Sequence, residues 1–344
     1  MKTLFQNRIR IMPTLIFAGA VVLVIESMTS RTGLGNAGTE QTLAVAFLFG
    51  ALALSYDLLL GFTGLLSFGH ALFYAIGAYV TAIMINTAHW PVIISGLFAM
   101  LVSGVVALLV GAGCLKTKGI TFAMVTLAFG EAGVVIVSKN VHGLTGGDNG
   151  LPLNTAHIPA FLVTVANTRY LLWIAMAVLA IVYLCVWWLT ESSAGKVFAA
   201  LRDNELRVQV LGLNPNRFKL LSFVVAGVLA SLVGVAMLLI NGGASPRMGS
   251  SDTTIALLLM VILGGAATRW GAVFGGILYS ILTTRLQDLN QGSILKSIPK
   301  IISGPLSEPT FLLGTLFILV VMFAPGGFSG LYYRLTHRRA RIRK

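Results

Sequence analysis

An all-helical integral membrane protein is the fold class this sequence predicts, and three observations carry it. Of its 344 residues, 56% are hydrophobic and only 10% are charged, against about 25% charged in an ordinary soluble domain. Mean hydropathy is +0.89. The apolar residues are blocked into runs of about 20, the length that spans a bilayer as a helix. So little polar surface excludes a soluble enzyme.

About ten spans follow in order, near 11–28, 41–60, 68–86, 91–113, 120–138, 170–189, 219–240, 254–268, 270–284 and 309–325. In the first, Lys2, Arg8 and Arg10 precede the apolar run Ile11 to Ile25, as in a secretory signal. The stretch Glu26 to Arg31 offers no Ala-x-Ala cleavage pattern, so the run reads as an uncleaved helix. The region 254–284 divides at the glycine-rich break Gly264 to Gly271, because Arg269 would be costly at the bilayer centre. Ten spans put both termini on one side. With that side cytoplasmic, 17 of the 24 Lys and Arg lie inside, the bias membrane insertion demands. Nine spans would export one of the basic tails.

The expected organisation is one transmembrane domain over 1–344, with a cytoplasmic loop near 190–219 and a basic cytoplasmic tail near 331–344. Outer loops fall near 139–169, 241–253 and 285–308, where Gly, Asn, Asp, Pro and Ser supply turn chemistry. The net charge of +13 reflects cytoplasmic loops rather than nucleic-acid binding. The tail Arg334 to Lys344 reads as a topology anchor attracted to anionic membrane lipid. Cys114 and Cys185 form neither a disulfide framework nor a zinc spacing. Gly271 with Gly275, and Ala230 with Gly234, have the small-xxx-small spacing of close helix packing.

The segment Glu191 to Lys219 is the most informative soluble stretch. Ser192 or Ser193 can cap a helix. Val197, Leu201, Val208 and Leu211 then share a face, and Asp203 and Arg207 have the i, i+4 spacing of a helical ion pair. Gly212 ends the helix, and Asn214-Pro215 turns the chain back toward the membrane. Two readings stand: a surface helix that joins two spans, or a docking element whose mixed charge favours a protein partner.

Here a resemblance adds to the pattern. Ala200-Leu201-Arg202-Asp203-Asn204-Glu205, then Leu211-Gly212-Leu213-Asn214, resembles the cytoplasmic loop of ABC importer permeases for branched-chain amino acids. Three further stretches are similar to that family in the same order: Gly61 to His70 running on to Tyr79, Lys118 to Glu131 with Leu144 to Leu151, and Val261 to Gly271. The resemblance covers about residues 50 to 330. It implies that Ala200, Arg202, Asp203, Asn204, Glu205, Arg207 and Gly212 belong to a segment that couples to an ATPase. It also implies a homologous second permease, two cytoplasmic ATPase subunits holding ATP and Mg, and a periplasmic substrate-binding protein. Gly146, Gly147, Asp148 and Asn149 would then face that binding protein; otherwise they form a solvated turn. Thr121 stands where the family has an aromatic residue, and Ala267-Thr268 where it has a Gly-Thr pair.

No phosphate-binding loop, metal motif or nucleophile triad occurs in the sequence, so no cofactor is expected in this chain and a nucleotide site would sit on another. Gly61, Gly64 and Gly69 crowd between two spans with Thr63, Ser67 and His70. They make either a tight inner turn or an irregular segment beside the pathway, which membrane depth tolerates only under protein or water. His70 alone reads as a satisfied interior histidine. Asp57 and Glu131 are the acids most clearly within apolar runs, and either is a structural partner or a pathway group; Glu26 reaches water at an outer helix end. Candidate pathway residues are therefore Thr63, Ser67, His70, Asp57 and Glu131. The expected function is an amino-acid permease of an ATP-driven importer in the bacterial inner membrane. The alternatives are an ion-coupled transporter using Asp57 or Glu131, and an ABC permease for urea or short amides.

Overall fold

The computed structural model describes residues 37–154 and 168–291, with positions 311, 314, 315, 318, 322 and 326–330. Its helices are α1 (Ala37–Asp57), α2 (His70–Ala88), α3 (Val92–Cys114), α4 (Ile120–Ser138), α5 (Thr168–Glu191), α6 (Ser193–Asp203), α7 (Glu205–Val210), α8 (Pro215–Asn241), α9 (Ser251–Gly264) and α10 (Arg269–Gln291). Two short strands, β1 (Leu151–Pro152) and β2 (Gly243–Ala244), pair antiparallel. The expected span at 11–28 and the tail at 331–344 lie outside the described residues, as do Glu26, positions 155–167 of the loop expected at 139–169 and positions 292–308 of the loop expected at 285–308, whose first seven positions instead continue α10. Of the last expected span, positions 311, 314, 315, 318 and 322 are described, all helical.

Eight expected spans correspond to helices, with ends shifted by a few residues. Among the described residues, six helices are long and apolar enough to cross a membrane. Helix α9, at 14 residues, is about 21 Å long and falls short of a bilayer core of about 30 Å. Helix α10 is long enough, but its sequence carries Arg269 at one end and Arg285 toward the other. The expected break between these two helices is present at 265–268. Together the helices make a multi-pass integral membrane protein.

Helices α1 and α8 form the centre, with most of their apolar windows buried, while α3 and α4 are peripheral. Helix α1 packs against α5 and α10, and α8 against α2 and α3. In lipid, apolar contact gives little drive between helices, so close fit must do the work. Gly234 and Gly275 supply it as their spacing predicts: a Cβ at Gly234 would collide with Tyr74 O, and one at Gly275 with Met260 O. Phe223 fills the wider gaps, edge-on to Phe73 at 5.4 Å and to Phe122 at 6.2 Å. Outward-facing Ile93, Leu97, Leu101 and Leu108 on α3, with Met124, Phe129 and Ile136 on α4, give the periphery the apolar surface a bilayer requires.

The bundle has two distinct ends. At one end lie the α6–α7 pair, the 115–119 turn, the α1–α2 link and the α9–α10 link, joined by Arg202–Gly61, Lys118–Glu205, Asp57–Ala267 and Arg269–Glu191 contacts. At the other lie β1–β2, the 140–150 turn and the Glu40–Arg169 ion pair. Segments expected on opposite sides of the membrane thus sort to opposite ends.

The segment expected as one helix from Ser192 to Leu211 is two. Asn204 leaves helical geometry (φ −163°, ψ 109°) and its Oδ1 accepts from the Leu206 and Arg207 amides, capping α7. A short amide side chain that can satisfy two orphan N–H groups competes well with continued helix. The expected Asp203–Arg207 pair is lost in consequence, and Asp203 instead lies 3.8 Å from Arg202. Ser192 does cap α6, and Gly212 takes the left-handed conformation after α7 (φ +80°). Leu201 and Val208 are buried as expected, but Leu211 is exposed, and fully buried Phe198 takes the core position.

Candidate functional site

The α1–α2 link is where helical order breaks. Helix α1 ends at Asp57 and continues as a wider π-helical turn, Leu58–Thr63, closed by Gly64 at φ +78°. The chain then runs irregularly from 64 to 69 before α2 begins. Irregular backbone buried in protein must find partners for its peptide groups. Here side chains provide them: Tyr56 donates to Ser67 O (3.0 Å), the Phe68 amide donates to Thr126 Oγ1 (3.1 Å), and the Ala71 amide to Thr254 Oγ1 (3.2 Å). The link is therefore irregular backbone covered by protein rather than a tight turn.

The candidate pathway residues divide. Thr63 is buried and donates to Leu58 O within the π-turn. Ser67 and His70 are fully buried. Ser55 Oγ lies 2.7 Å from Leu52 O and within hydrogen-bond distance, 3.0 Å, of His70 Nε2. His70 Nδ1 and Ser67 Oγ have no hydrogen-bond partner among the described residues. Glu131 stands elsewhere: half-buried on α4, its Oε1 accepts from the Ser251 amide (3.1 Å) in the first turn of α9. An anion there complements the positive end of the helix dipole.

Asp57 is wholly buried, and its Oδ1 accepts from the Ala267 amide at 2.9 Å. It thereby holds the α9–α10 link against the α1–α2 link. Gly61 makes this approach possible, since a Cβ there would collide with both Asp57 Oδ1 and Ala267 N. From the other side, Arg202 Nη1 donates to Gly61 O at 2.7 Å. One nitrogen of the guanidinium thus reaches inward to the π-turn, while the side chain as a whole stays 44% exposed.

Glu205 joins α7 to its neighbours through Lys219 (2.9 Å) and Lys118 (3.6 Å). Partial burial opposes its ionisation, but the hydrogen bond and charge of Lys219, then of Lys118, outweigh that and hold its carboxyl below the usual carboxylate range. Beside it opens a cleft of about 430 Å³ lined by Lys116, Lys118, Glu205, Gln209, Asn214 and Asn216, among others. Leu206 and Val210 on α7, and Leu211 just after it, are 68%, 87% and 75% exposed. Ala200 is half-buried, and Arg202, Asp203, Asn204 and Arg207 are exposed. At the opposite end, Asn140 Oδ1 accepts from the Thr145 and Gly146 amides (3.0 Å each), which fixes the turn. Gly147 is buried there, while Asp148 and Asn149 face outward.

The pattern missed Tyr56, Thr126 and Thr254, because one hydroxyl in an apolar helix carries no signal of its distant backbone partner. No group of three or more His, Cys, Asp or Glu able to hold a metal occurs among the described residues.

The fold is a multi-pass helical membrane bundle with a buried broken link and a polar, partly apolar protrusion at one end. Residues 38–324 match the family described as the permease component of the branched-chain amino acid transport system. The chain belongs to that family. It is 26% identical to the high-affinity branched-chain amino acid transport system permease protein LivM of Escherichia coli K12, over 84% of this chain and 69% of that one. The probable LivM of Methanocaldococcus jannaschii is 25% identical, over 81% of this chain and 90% of its own length. The permease LivH of Escherichia coli K12 is 24% identical, over 68% and 80% respectively. No solved structure matches.

Proposed function

We propose that this chain is a permease subunit of an ABC importer that carries branched-chain or related amino acids across the bacterial inner membrane. The observation that carries the reading is α7, a six-residue helix whose Leu206 and Val210, with Leu211 directly after it, are exposed beside a polar cleft. Apolar side chains grouped at a protein tip suit a partner surface. That partner is an ATPase subunit, which brings the ATP and Mg that this chain has no motif to bind. Residues 200–212, including Arg202, Asp203, Asn204, Glu205 and Arg207, form the coupling segment. A homologous second permease completes the membrane unit, in keeping with the likeness to both LivM and LivH.

The charge bias puts the α6–α7 end and both termini in the cytoplasm, in one transmembrane domain of about ten spans. The opposite end, with Gly146, Gly147, Asp148 and Asn149, then meets a periplasmic binding protein. ATP binding moves α6 and α7, and the irregular link at 58–69 opens or closes the route along Thr63, Ser67 and His70.

Uptake of labelled leucine into ATP-loaded proteoliposomes holding the full set of subunits tests the reading. Uptake that needs both ATP and this chain supports it. ATP hydrolysis stimulated by the binding protein without leucine uptake would reject the cargo, and gradient-driven uptake by this chain alone would reject the mechanism.

A further inference from the structure

We infer that Arg202 is a positioning residue that transmits motion inward from α6 to the α1–α2 link, rather than a contact for the ATPase. The inference rests on the importer reading and says how that machine is wired. Four observations support it. The guanidinium donates to Gly61 O at 2.7 Å, inside a π-turn. The Arg202 stem packs on Gly64, where its Cγ and Cα would be 3.1 and 3.3 Å from an added Cβ. Asp57, one turn before Gly61, holds the Ala267 amide and so ties the α9–α10 link to the same point. Arg269, at the far side of that link, returns to the start of the coupling segment through Glu191 (2.9 Å) and Thr190 (3.3 Å).

The result is a closed mechanical loop: α6, Gly61, Asp57, Ala267, Arg269 and Glu191, back to α6. Its members sit on the two places where spans are broken, 58–69 and 265–268. A π-turn and an irregular link can change geometry without breaking the long helices beside them, whereas a packed helix resists bending. Movement of α6 therefore pulls Gly61 O through Arg202, and Asp57 carries the displacement to Ala267. The two links move together.

Hydrogen exchange on the assembled importer in lipid, with and without a non-hydrolysable ATP analogue, tests this. In the wild type, amides in 58–69 and 265–268 change protection together when the analogue binds. In Arg202→Ala, the ATPase subunits still copurify and hydrolyse ATP, the change at 58–69 is lost, and uptake falls about tenfold or more, within the usual range of coupling energies. Glu191→Ala acts on a side chain more exposed than Arg202 (60% against 44%), removes only the Arg269 end of the loop, and loosens the response at 265–268 first. Links that do not respond in the wild type, full uptake by Arg202→Ala, or loss of the ATPase from that variant would each overturn the inference. Absence of ATP-driven uptake in the wild type is a separate result, and it removes the importer reading together with this one.

Discussion

Lys219 Nζ lies 2.9 Å from Glu205 Oε2, so the first turn of α8 is fastened to the first turn of α7 by a charge-assisted bond. The folded state holds the Glu205 carboxyl below the usual carboxylate range. Its stabilisation is therefore present above the unfolded carboxylate pKa and disappears as pH falls through the lower folded value. Glu205→Gln should lower stability by about 0.5–1 kcal/mol at neutral pH, as expected of a partly solvated pair. Thermal midpoints of variant and parent in detergent should converge as the pH drops below the carboxylate range. A difference that persists in acid would mean that packing, not charge, sets the effect.

Gly61 sits where three segments meet. An added methyl must displace both the Asp57 carboxylate, which would give up its bond to the Ala267 amide, and the Ala267 backbone, which has no flexible end to give. Gly61→Ala should cost about 1–3 kcal/mol or more through overpacking, read as a lower thermal midpoint and a poorer yield of monodisperse protein.

Ala267 has φ +61°, a left-handed conformation that suits glycine better. The cost to an alanine there is about 1–2 kcal/mol, part of which glycine gives back through its freer unfolded chain. Ala267→Gly should leave stability unchanged or raise it by about 1 kcal/mol at most, read as an equal or higher thermal midpoint. A clear fall would show that the methyl group makes a contact that outweighs the backbone strain.

Much of this architecture was legible because apolar run length fixes span length, and a glycine-rich break with an arginine fixes the split before Arg269. The kink at Asn204 was not, because periodicity across 192–211 reads smoothly through a residue whose effect is a local cap. Asp57 was recognisable as a costly acid. Its partner, the Ala267 amide, was not, since it lies 210 residues on and a backbone N–H leaves no trace in sequence. The same holds for Arg202: its place in a loop motif suggests an outward contact, and only the fold turns it toward Gly61.

Glu131 distinguishes two transport mechanisms. Its Oε1 accepts from the Ser251 amide, a bond the amide oxygen of glutamine can reproduce. Glu131→Gln should lose only the charge–dipole component, about 0.3–1 kcal/mol, and ATP-driven uptake should survive. An ion-coupled transporter that used this carboxylate would instead lose uptake altogether. Initial uptake rates beside the thermal midpoint separate the outcomes.

The exposed tip of α7 makes the last prediction. Val210 and Leu211 contribute little to the fold, being 87% and 75% exposed, so Val210→Asp with Leu211→Asp should leave the thermal midpoint of the isolated chain within about 0.5 kcal/mol, the usual range for surface changes. At a partner interface the same pair buries two charges against apolar surface, where an unpaired charge is far more costly than in water. Copurification of the ATPase subunits should therefore fail, and uptake with it. Retention of the ATPase at normal stoichiometry would place the docking surface elsewhere, with the cleft lined by Lys116, Gln209 and Asn216 the next region to probe.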